Sequence, residues 1–280
     1  MSSIREAILL LSSQLTAKEN PRKEAEDILA VILKCSRSSL HSLGLTALAD
    51  NDWKTACSYA RRRMAGEPLA YIQSCIEFYH CLFKLNPSVL IPRQETEVLV
   101  DKIVQQLKKQ DLEQKVLLDL CCGSGCIGIA LKKQFPFLKV ILSDISAEAI
   151  ALARQNAEEN NVEVLILEGD LLDPLKGQKV NFCVCNPPYI SENEFAKLDF
   201  EVKAFEPRIA LVGGPDGLEF YRRLSRDLPA CLYPHAQVWL EIGYLQGKDV
   251  ENVFQSGCWK NHRLENDWAG HNRFFFLENE

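Results

Sequence analysis

The chain has 280 residues, 47% of them apolar and 25% charged, a composition of soluble globular proteins with room for one large or two ordinary domains. Its 32 Lys and Arg stand against 38 Asp and Glu, and a net charge of -6 argues against a protein built to coat nucleic acid, which needs clustered cations. No uninterrupted apolar run approaches the ~20 residues that cross a membrane, and Met1-Ser2-Ser3-Ile4-Arg5-Glu6 lacks the shape of a secretion signal, so a cytoplasmic protein with no membrane partner is expected.

Residues 1–85 read as a small all-α domain, with a hairpin or hinge near 70–90. Ile4, Ala7, Ile8, Leu11 and Leu15 recur at helical spacing. Asn20 before Pro21 reads as a helix cap followed by a first-turn proline, leading into Ala25, Ile28, Leu29, Ile32 and Leu33. A third helix through Trp53, Cys57 and Ala60 reaches Met64, with Gly66 and Pro68 as stop signals. Arg61-Arg62-Arg63 reads as the solvated end of that helix. This region holds little chemistry and suits a docking or positioning module. Phe78, Tyr79 and the segment from Pro92 to Glu97 are expected to line the mouth of a site.

From 86 to 280 the rhythm becomes strand, turn, helix, strand. Val116–Leu120, Leu138–Asp144, Val162–Leu167, Asn181–Cys185 and Ala236–Ile242 read as strands, and two short ones near Arg263 and Phe274–Leu277 close the chain. Near-continuous apolar strands alternating with helices imply an α/β fold with a doubly wound, mostly parallel sheet. Ligands in such sheets bind at the carboxyl ends of the strands, here the first and the fourth.

Gly123-x-Gly125-x-x-Gly128 follows the first of these strands and opens a helix, so backbone N–H groups and a helix N-terminus face a ligand. Asp144 ends the next strand, 21 residues after Gly123, where a carboxylate accepts from both hydroxyls of a ribose. A nucleoside-containing cofactor follows, either a dinucleotide or S-adenosyl-L-methionine.

Asn186-Pro187-Pro188-Tyr189 at the end of the fourth strand separates the two. The prolines fix φ, remove two donors and leave a corner of carbonyls, one amide and one ring. A methyltransferase acting on a conjugated NH2 needs such a corner, because that nitrogen's lone pair is delocalised. The Asn186 side-chain oxygen and the Pro187 carbonyl can hold both N–H bonds and stabilise the positive charge that develops on nitrogen. The Tyr189 ring would pack on the planar group. No metal is required. The eleven cysteines form no C-x-x-C and have no histidine at ligand spacing, so they read as buried thiols in a reducing compartment.

The chain resembles the bacterial protein-(glutamine-N5) methyltransferases of peptide chain release factors, the PrmC/HemK group, across nearly its whole length. The segments that carry the resemblance include Gly66-Glu67-Pro68-Leu69-Ala70-Tyr71-Ile72, Leu90-Ile91-Pro92-Arg93-Gln94-Glu95-Thr96-Glu97 and Asp144-Ile145-Ser146. They continue through Asn186-Pro187-Pro188-Tyr189, Phe205-Glu206-Pro207-Arg208, Gly213–Leu218, Leu240-Glu241-Ile242-Gly243 and Asp267-Trp268-Ala269-Gly270. The resemblance implies methyl transfer from S-adenosyl-L-methionine, leaving S-adenosyl-L-homocysteine, to the Gln of the Gly-Gly-Gln motif in class I release factors. It implies that Cys121, Cys122, Gly123, Ser124 and Gly125 hold the methionine part of the cofactor and Asp144 the ribose. Asp170 and Leu171 would flank the adenine, and Asn186 would touch both cofactor and substrate. Asn186, Pro187, Pro188 and Tyr189 would bind the substrate glutamine, and the helical domain would help dock the release factor.

Two departures from the family pattern bear on the cofactor loop. Cys121 stands where glycine is common, which a negative φ would accommodate, and Leu171 replaces a common aromatic, leaving simple apolar contact. Two rivals share the Asn-Pro-Pro-Tyr chemistry. An adenine-N6 nucleic-acid methyltransferase would need a basic groove and a recognition insert, for which about 195 residues leave no room. A glutamine methyltransferase of a ribosomal protein would differ chiefly in docking, and the Ile91-Pro92-Arg93 and Thr96-Glu97 pattern favours the release-factor branch.

Overall fold

A computed structural model describes residues 3–255 and 257–280. The chain divides into two compact units, one of Met1–Ser74 with Phe200–Phe205 and one of Cys75–Asp199 with Glu206–Glu280.

The first unit opens with α1 (Ile4–Gln14), whose N-terminus is closed by a capping box between Ser3 and Glu6. Asn20 caps α2 (Pro21–Ile32) by accepting the Lys23 N–H, and α3 (Arg37–Ser42), α4 (Asp50–Met64) and α5 (Leu69–Gln73) follow. Leu11, Leu15, Ile28, Leu29 and Leu40 are fully buried between them. The arginine run at the end of α4 is not uniformly solvated. Arg61 and Arg62 are exposed, but Arg63 is buried. Its Nε and Nη2 each meet the Glu24 carboxylate at 2.9 Å, and its Nη1 lies 3.0 Å from Glu201. A guanidinium has five donors in a fixed fork, and this one uses them to join α4 to α2 and to the Phe200–Phe205 segment. Phe200 sits over Gly66, where an added Cβ would come within 2.8 Å of its ring.

The second unit begins with a hairpin of β1 (Cys75–Phe78) and β2 (Cys81–Lys84), so the division falls at 74/75 and not near 85. Hydrogen bonds explain the hairpin's allegiance: Asn156 Oδ1 accepts the Lys84 N–H at 2.7 Å, and Asn160 Nδ2 donates to the Leu82 carbonyl at 2.8 Å. Then come α6 (Gln94–Leu107), β3 (Val116–Leu120), α7 (Cys126–Gln134), β4 (Lys139–Asp144), α8 (Ala147–Glu159), β5 (Leu165–Glu168) and β6 (Val180–Cys185). After α9 (Glu192–Phe195) and α10 (Phe200–Phe205), α11 (Glu219–Asp227) leads to β7 (Leu232–Glu241), α12 (Gly247–Val253), β8 (Trp259–Asn266) and β9 (Asn272–Asn279).

The sheet runs β5-β4-β3-β6-β7-β9-β8. β3 to β7 are mutually parallel, while β9 is antiparallel to both β7 and β8. The doubly wound, mostly parallel sheet is therefore as expected, but the closing strands are not short: they form a hairpin of two eight-residue strands. One face is covered by α6, α7 and α8 through Leu99, Ile103, Ile129 and Ala153, the other by α11 and α12 through Tyr221, Leu224 and Val250. Strand order reverses between β3 and β6, which opens the ligand crevice at their carboxyl ends. Among the described residues no helix is long and apolar enough to cross a membrane.

Candidate active site

β3 ends at Leu120 and the chain turns sharply through Cys121, Gly123 and Gly125, with φ of 57°, 52° and 78°. Cys121 thus has a positive φ, contrary to the negative value expected to accommodate a side chain there. The turn must reverse direction before α7 can start, and Cys121 is held by packing against the core between the sheet and α11. Gly128 answers a different need. A Cβ there would lie 2.3 Å from Leu142 Cδ2 and 3.0 Å from Asp119 Cβ, so its absence lets α7 sit against the sheet.

Asp144 at the end of β4 is bound into the same loop. Its Oδ2 accepts the Gly123 N–H at 2.8 Å and its Oδ1 the Ser146 N–H at 3.0 Å. Burial raises this carboxyl above the usual range, while the N–H groups of Ser146, Gly123 and Ile145 pull it back down. Two oxygens offer about four acceptor positions, so after these bonds lone pairs remain for a diol.

A cavity of about 230 Å³ opens at this point. Cys121, Cys122, Gly123, Ser124, Asp144, Asp170, Leu171, Asn186 and Pro188 all line it. Gly125, Pro187 and Tyr189 do not. Gly125 instead caps α7 behind the loop, with no space for a side chain between Ile129 and Leu142. Leu171 is largely buried and packs on the core below the cavity, and Asp170 is paired with Arg223 at 2.8 Å.

The Asn186–Tyr189 turn is anchored from beneath. A Cβ on Gly213 would stand 2.4 Å from the Pro188 carbonyl oxygen, so this glycine lets the two backbones touch. Gln246 Nε2 donates to the Tyr189 carbonyl at 2.9 Å. The Tyr189 ring packs on the core of α11 and the sheet, and burial pushes its hydroxyl's pKa up. Asn186 Nδ2 lies 3.5 Å from Thr96 Oγ1, and Thr96 Oγ1 donates to Glu241 Oε2 at 2.7 Å.

Two polar residues that fix this site, Glu206 and Asn156, have no role assigned from the sequence. Of the segment 92–97 expected at the mouth, Arg93 and Thr96 line the cavity. Glu206, itself buried, accepts the Ile91 N–H at 3.2 Å and pairs with Arg93 Nη2 at 2.5 Å, fixing the segment that carries both. Asn156, fully buried, donates to the Ser124 carbonyl at 2.9 Å and so ties the glycine loop to α8 and the hairpin. The available signal was polar residues in apolar surroundings: Asp119 within Val-Leu-Leu-Asp-Leu, Glu241 within Leu-Glu-Ile, and Asn156 on the inner face of α8. Phe78 and Tyr79 go elsewhere. Phe78 is core, and Tyr79 lines a separate depression with Glu97, Asp101 and Trp268, where burial followed by the Asp101 charge pushes its pKa up to about 12.

Comparison with known proteins bears on this geometry directly. Residues 6–73 match the PrmC N-terminal domain and residues 94–201 the methyltransferase small domain. The release factor glutamine methyltransferase of Chlamydia trachomatis serovar L2 is 44% identical over 264 residues, covering 93% of this chain and 88% of that protein. Those of Bacillus cereus and Thermodesulfovibrio yellowstonii are each 35% identical, the former covering 99% of both chains and the latter 91% and 92%. Among solved structures, a methyltransferase from Pyrococcus furiosus superposes with a TM-score of 0.51 at 15% identity over 70% of this chain and 87% of its own. The catalytic domain of human Mettl16, in complex with an RNA hairpin, does so with 0.51 at 16% over 82% of each, and both share the fold alone. At these identities over nearly its full length, the chain belongs to the release factor glutamine methyltransferase family.

Proposed function

We propose that this protein transfers a methyl group from S-adenosyl-L-methionine to the side-chain amide nitrogen of the glutamine in the Gly-Gly-Gln motif of class I release factors, in the cytoplasm. The observation that carries this reading is the placement of Asn186 and Pro188 on the same cavity as Asp144 and the glycine loop. A ribose-accepting carboxylate and an amide-gripping corner then address one space.

The residues present fit a nucleoside cofactor. An added Cβ at Gly123 would meet nothing within 4 Å, so the backbone there opens freely onto the cavity, and Asp144 keeps acceptor capacity beside it. Bound there, the cofactor supplies an electrophilic methyl on sulfur. Leu171 gives an apolar floor to the base region and Asp170, held by Arg223, a polar edge.

At the other end of the cavity the substrate amide meets Asn186. Its side-chain oxygen accepts one amide N–H bond, and the carbonyl of Pro187, which lies in the chain between the two lining residues Asn186 and Pro188, is assigned the other, which localises electron density on nitrogen as the N–C bond forms and the S–C bond breaks. Both acceptors interact more strongly with the charged nitrogen of the transition state than with the neutral amide, so they lower the barrier and not only the binding free energy. The methylated nitrogen then sheds one proton to water. The Tyr189 ring, half-buried against the core, supports the turn from behind. The helical unit, with its exposed Leu9, Leu10 and Leu45, is the part proposed to dock the protein substrate.

The test offers labelled S-adenosyl-L-methionine with a release factor, with its Gln→Ala variant, with a ribosomal protein preparation and with duplex DNA. Label on the parent factor alone is expected. Label on the Gln→Ala factor to the same extent, or on DNA, rejects the proposal.

A further inference from the structure

We propose that Thr96 and Glu241 are positioning residues that set which end of the Asn186 amide faces the substrate. This rests on the proposed function, and it assigns to two buried side chains a task that lies outside the Asn186–Tyr189 turn.

The supply of donor protons decides the orientation. Thr96 is 2% exposed and Glu241 1%, so each must find its partners within the protein. The Thr96 hydroxyl has one proton, and it goes to Glu241 Oε2 at 2.7 Å. What remains on Oγ1 is lone pairs, which accept and cannot donate. Asn186 Nδ2 stands 3.5 Å from that oxygen, a long contact but one whose direction is settled by the missing proton. The Nδ2 end of the amide is therefore turned toward Thr96, and Oδ1 is the end left for a substrate N–H. An asparagine free to turn over would present Nδ2 half the time, and a donor facing a donor repels the substrate amide.

Glu241 is built into this place from several sides. Tyr221 on α11 donates its hydroxyl to the Glu241 backbone carbonyl at 2.9 Å. Arg273 of β9 and Arg93 ahead of α6 bring positive charge toward the carboxylate, Glu95 of α6 brings negative charge, and Tyr189 and Cys126 complete the titratable groups around it. Burial outweighs the rest and lifts the Glu241 carboxyl to about 7, with the Thr96 hydroxyl opposing. A protonated Glu241 can donate to Thr96. That frees the Thr96 proton for Asn186 Oδ1 and reverses the whole chain of donors, so the amide turns its wrong end outward. The relay thus acts as a proton-dependent latch on the substrate clamp.

The experiment reads the relay first in the enzyme alone. The Asn186 side-chain 15N–H2 signals, assigned by their loss in Asn186→Ala, are followed through a pH titration. They are expected to shift with a midpoint near 7 in the parent protein and to lose that dependence in Thr96→Val and in Glu241→Gln. Signals that ignore pH in the parent, or that respond equally in Thr96→Val, overturn the proposal whether or not a release factor is methylated. With methyl transfer as the second readout, Thr96→Val should lower kcat about 10- to 100-fold with a much smaller change in KM for S-adenosyl-L-methionine, and Thr96→Ser should recover most of it. A folded Thr96→Val that keeps kcat within about twofold also overturns the proposal.

Discussion

Asp119 Oδ2 accepts the backbone N–H of Gly128 at 2.7 Å, which locks the first turn of α7 to the centre of the parallel sheet. The residue is fully buried, its second oxygen has no hydrogen-bond partner among the described residues, and burial raises its carboxyl to about 7. In the unfolded chain the same group titrates near ~3.9. Between those values the folded protein holds a proton that the unfolded chain has lost, so stability falls as pH rises from about 4 to 7. Asp119→Asn keeps an acceptor for Gly128 and removes the charge. It should match the parent near pH 4.5 and exceed it by about 1–3 kcal/mol at pH 8, read from urea unfolding at the two pH values.

Cys121 holds a φ of 57° without being glycine. A left-handed backbone costs an L-residue roughly 1–2 kcal/mol, and more when the side chain is β-branched. Cys121→Gly relieves that strain while losing the thiol's packing on the core, so unfolding free energy should stay within about 1 kcal/mol of the parent. Cys121→Val should lose about 2 kcal/mol or more and weaken S-adenosyl-L-methionine binding in calorimetry, because the loop would have to reshape. Equal stability of the valine and glycine variants would count against this account.

Asn186→Ala separates transition-state from ground-state binding. The glycine loop and Asp144 are untouched, so cofactor affinity should change by less than about threefold, whereas the methyl-transfer rate should drop by an amount equivalent to about 2–4 kcal/mol. Single-turnover methylation together with titration calorimetry gives both numbers. A variant that loses cofactor affinity and rate in equal measure would place Asn186 with the cofactor and not with the amide.

Arg63→Met removes a buried guanidinium and strands Glu24 and Glu201 beside an apolar side chain. The expected loss is about 2–4 kcal/mol in the helical unit, against less than about 0.5 kcal/mol for the exposed Arg61→Ala. Thermal unfolding followed by far-ultraviolet dichroism measures both.

Part of this arrangement is legible in the sequence. The alternating pattern revealed β3 to β7 and the glycine loop because periodicity and turn chemistry are local properties, legible over ten or twenty residues. Asp144, Asn186 and Pro188 could be placed on one crevice because strand order obeys general rules. The partners of Thr96 are 90 and 145 residues away in sequence, and no local pattern encodes such a meeting. The same holds for Arg63 and Glu201. Arg61, Arg62 and Arg63 are identical as letters, and only the helix phase distinguishes the one that turns inward. The backbone of Cys121 is illegible for another reason: its φ follows from the direction of the next helix, and a side chain tolerated there leaves no mark in composition.

The segment Phe200–Phe205 clusters with the helical unit although it lies between the Asn-Pro-Pro-Tyr turn and α11. The polypeptide therefore passes between the two units at three places, 74/75, 199/200 and 205/206. No single cut yields either unit whole. A fragment ending at Ser74 would leave Gly66 without Phe200 and Arg63 without Glu201, while the remainder would carry an orphaned aromatic helix between β6 and α11. Exchanging the helical units of two such enzymes to redirect them to new substrates is thus a two-piece graft, in which the docking module and six residues from the heart of the catalytic chain must travel together.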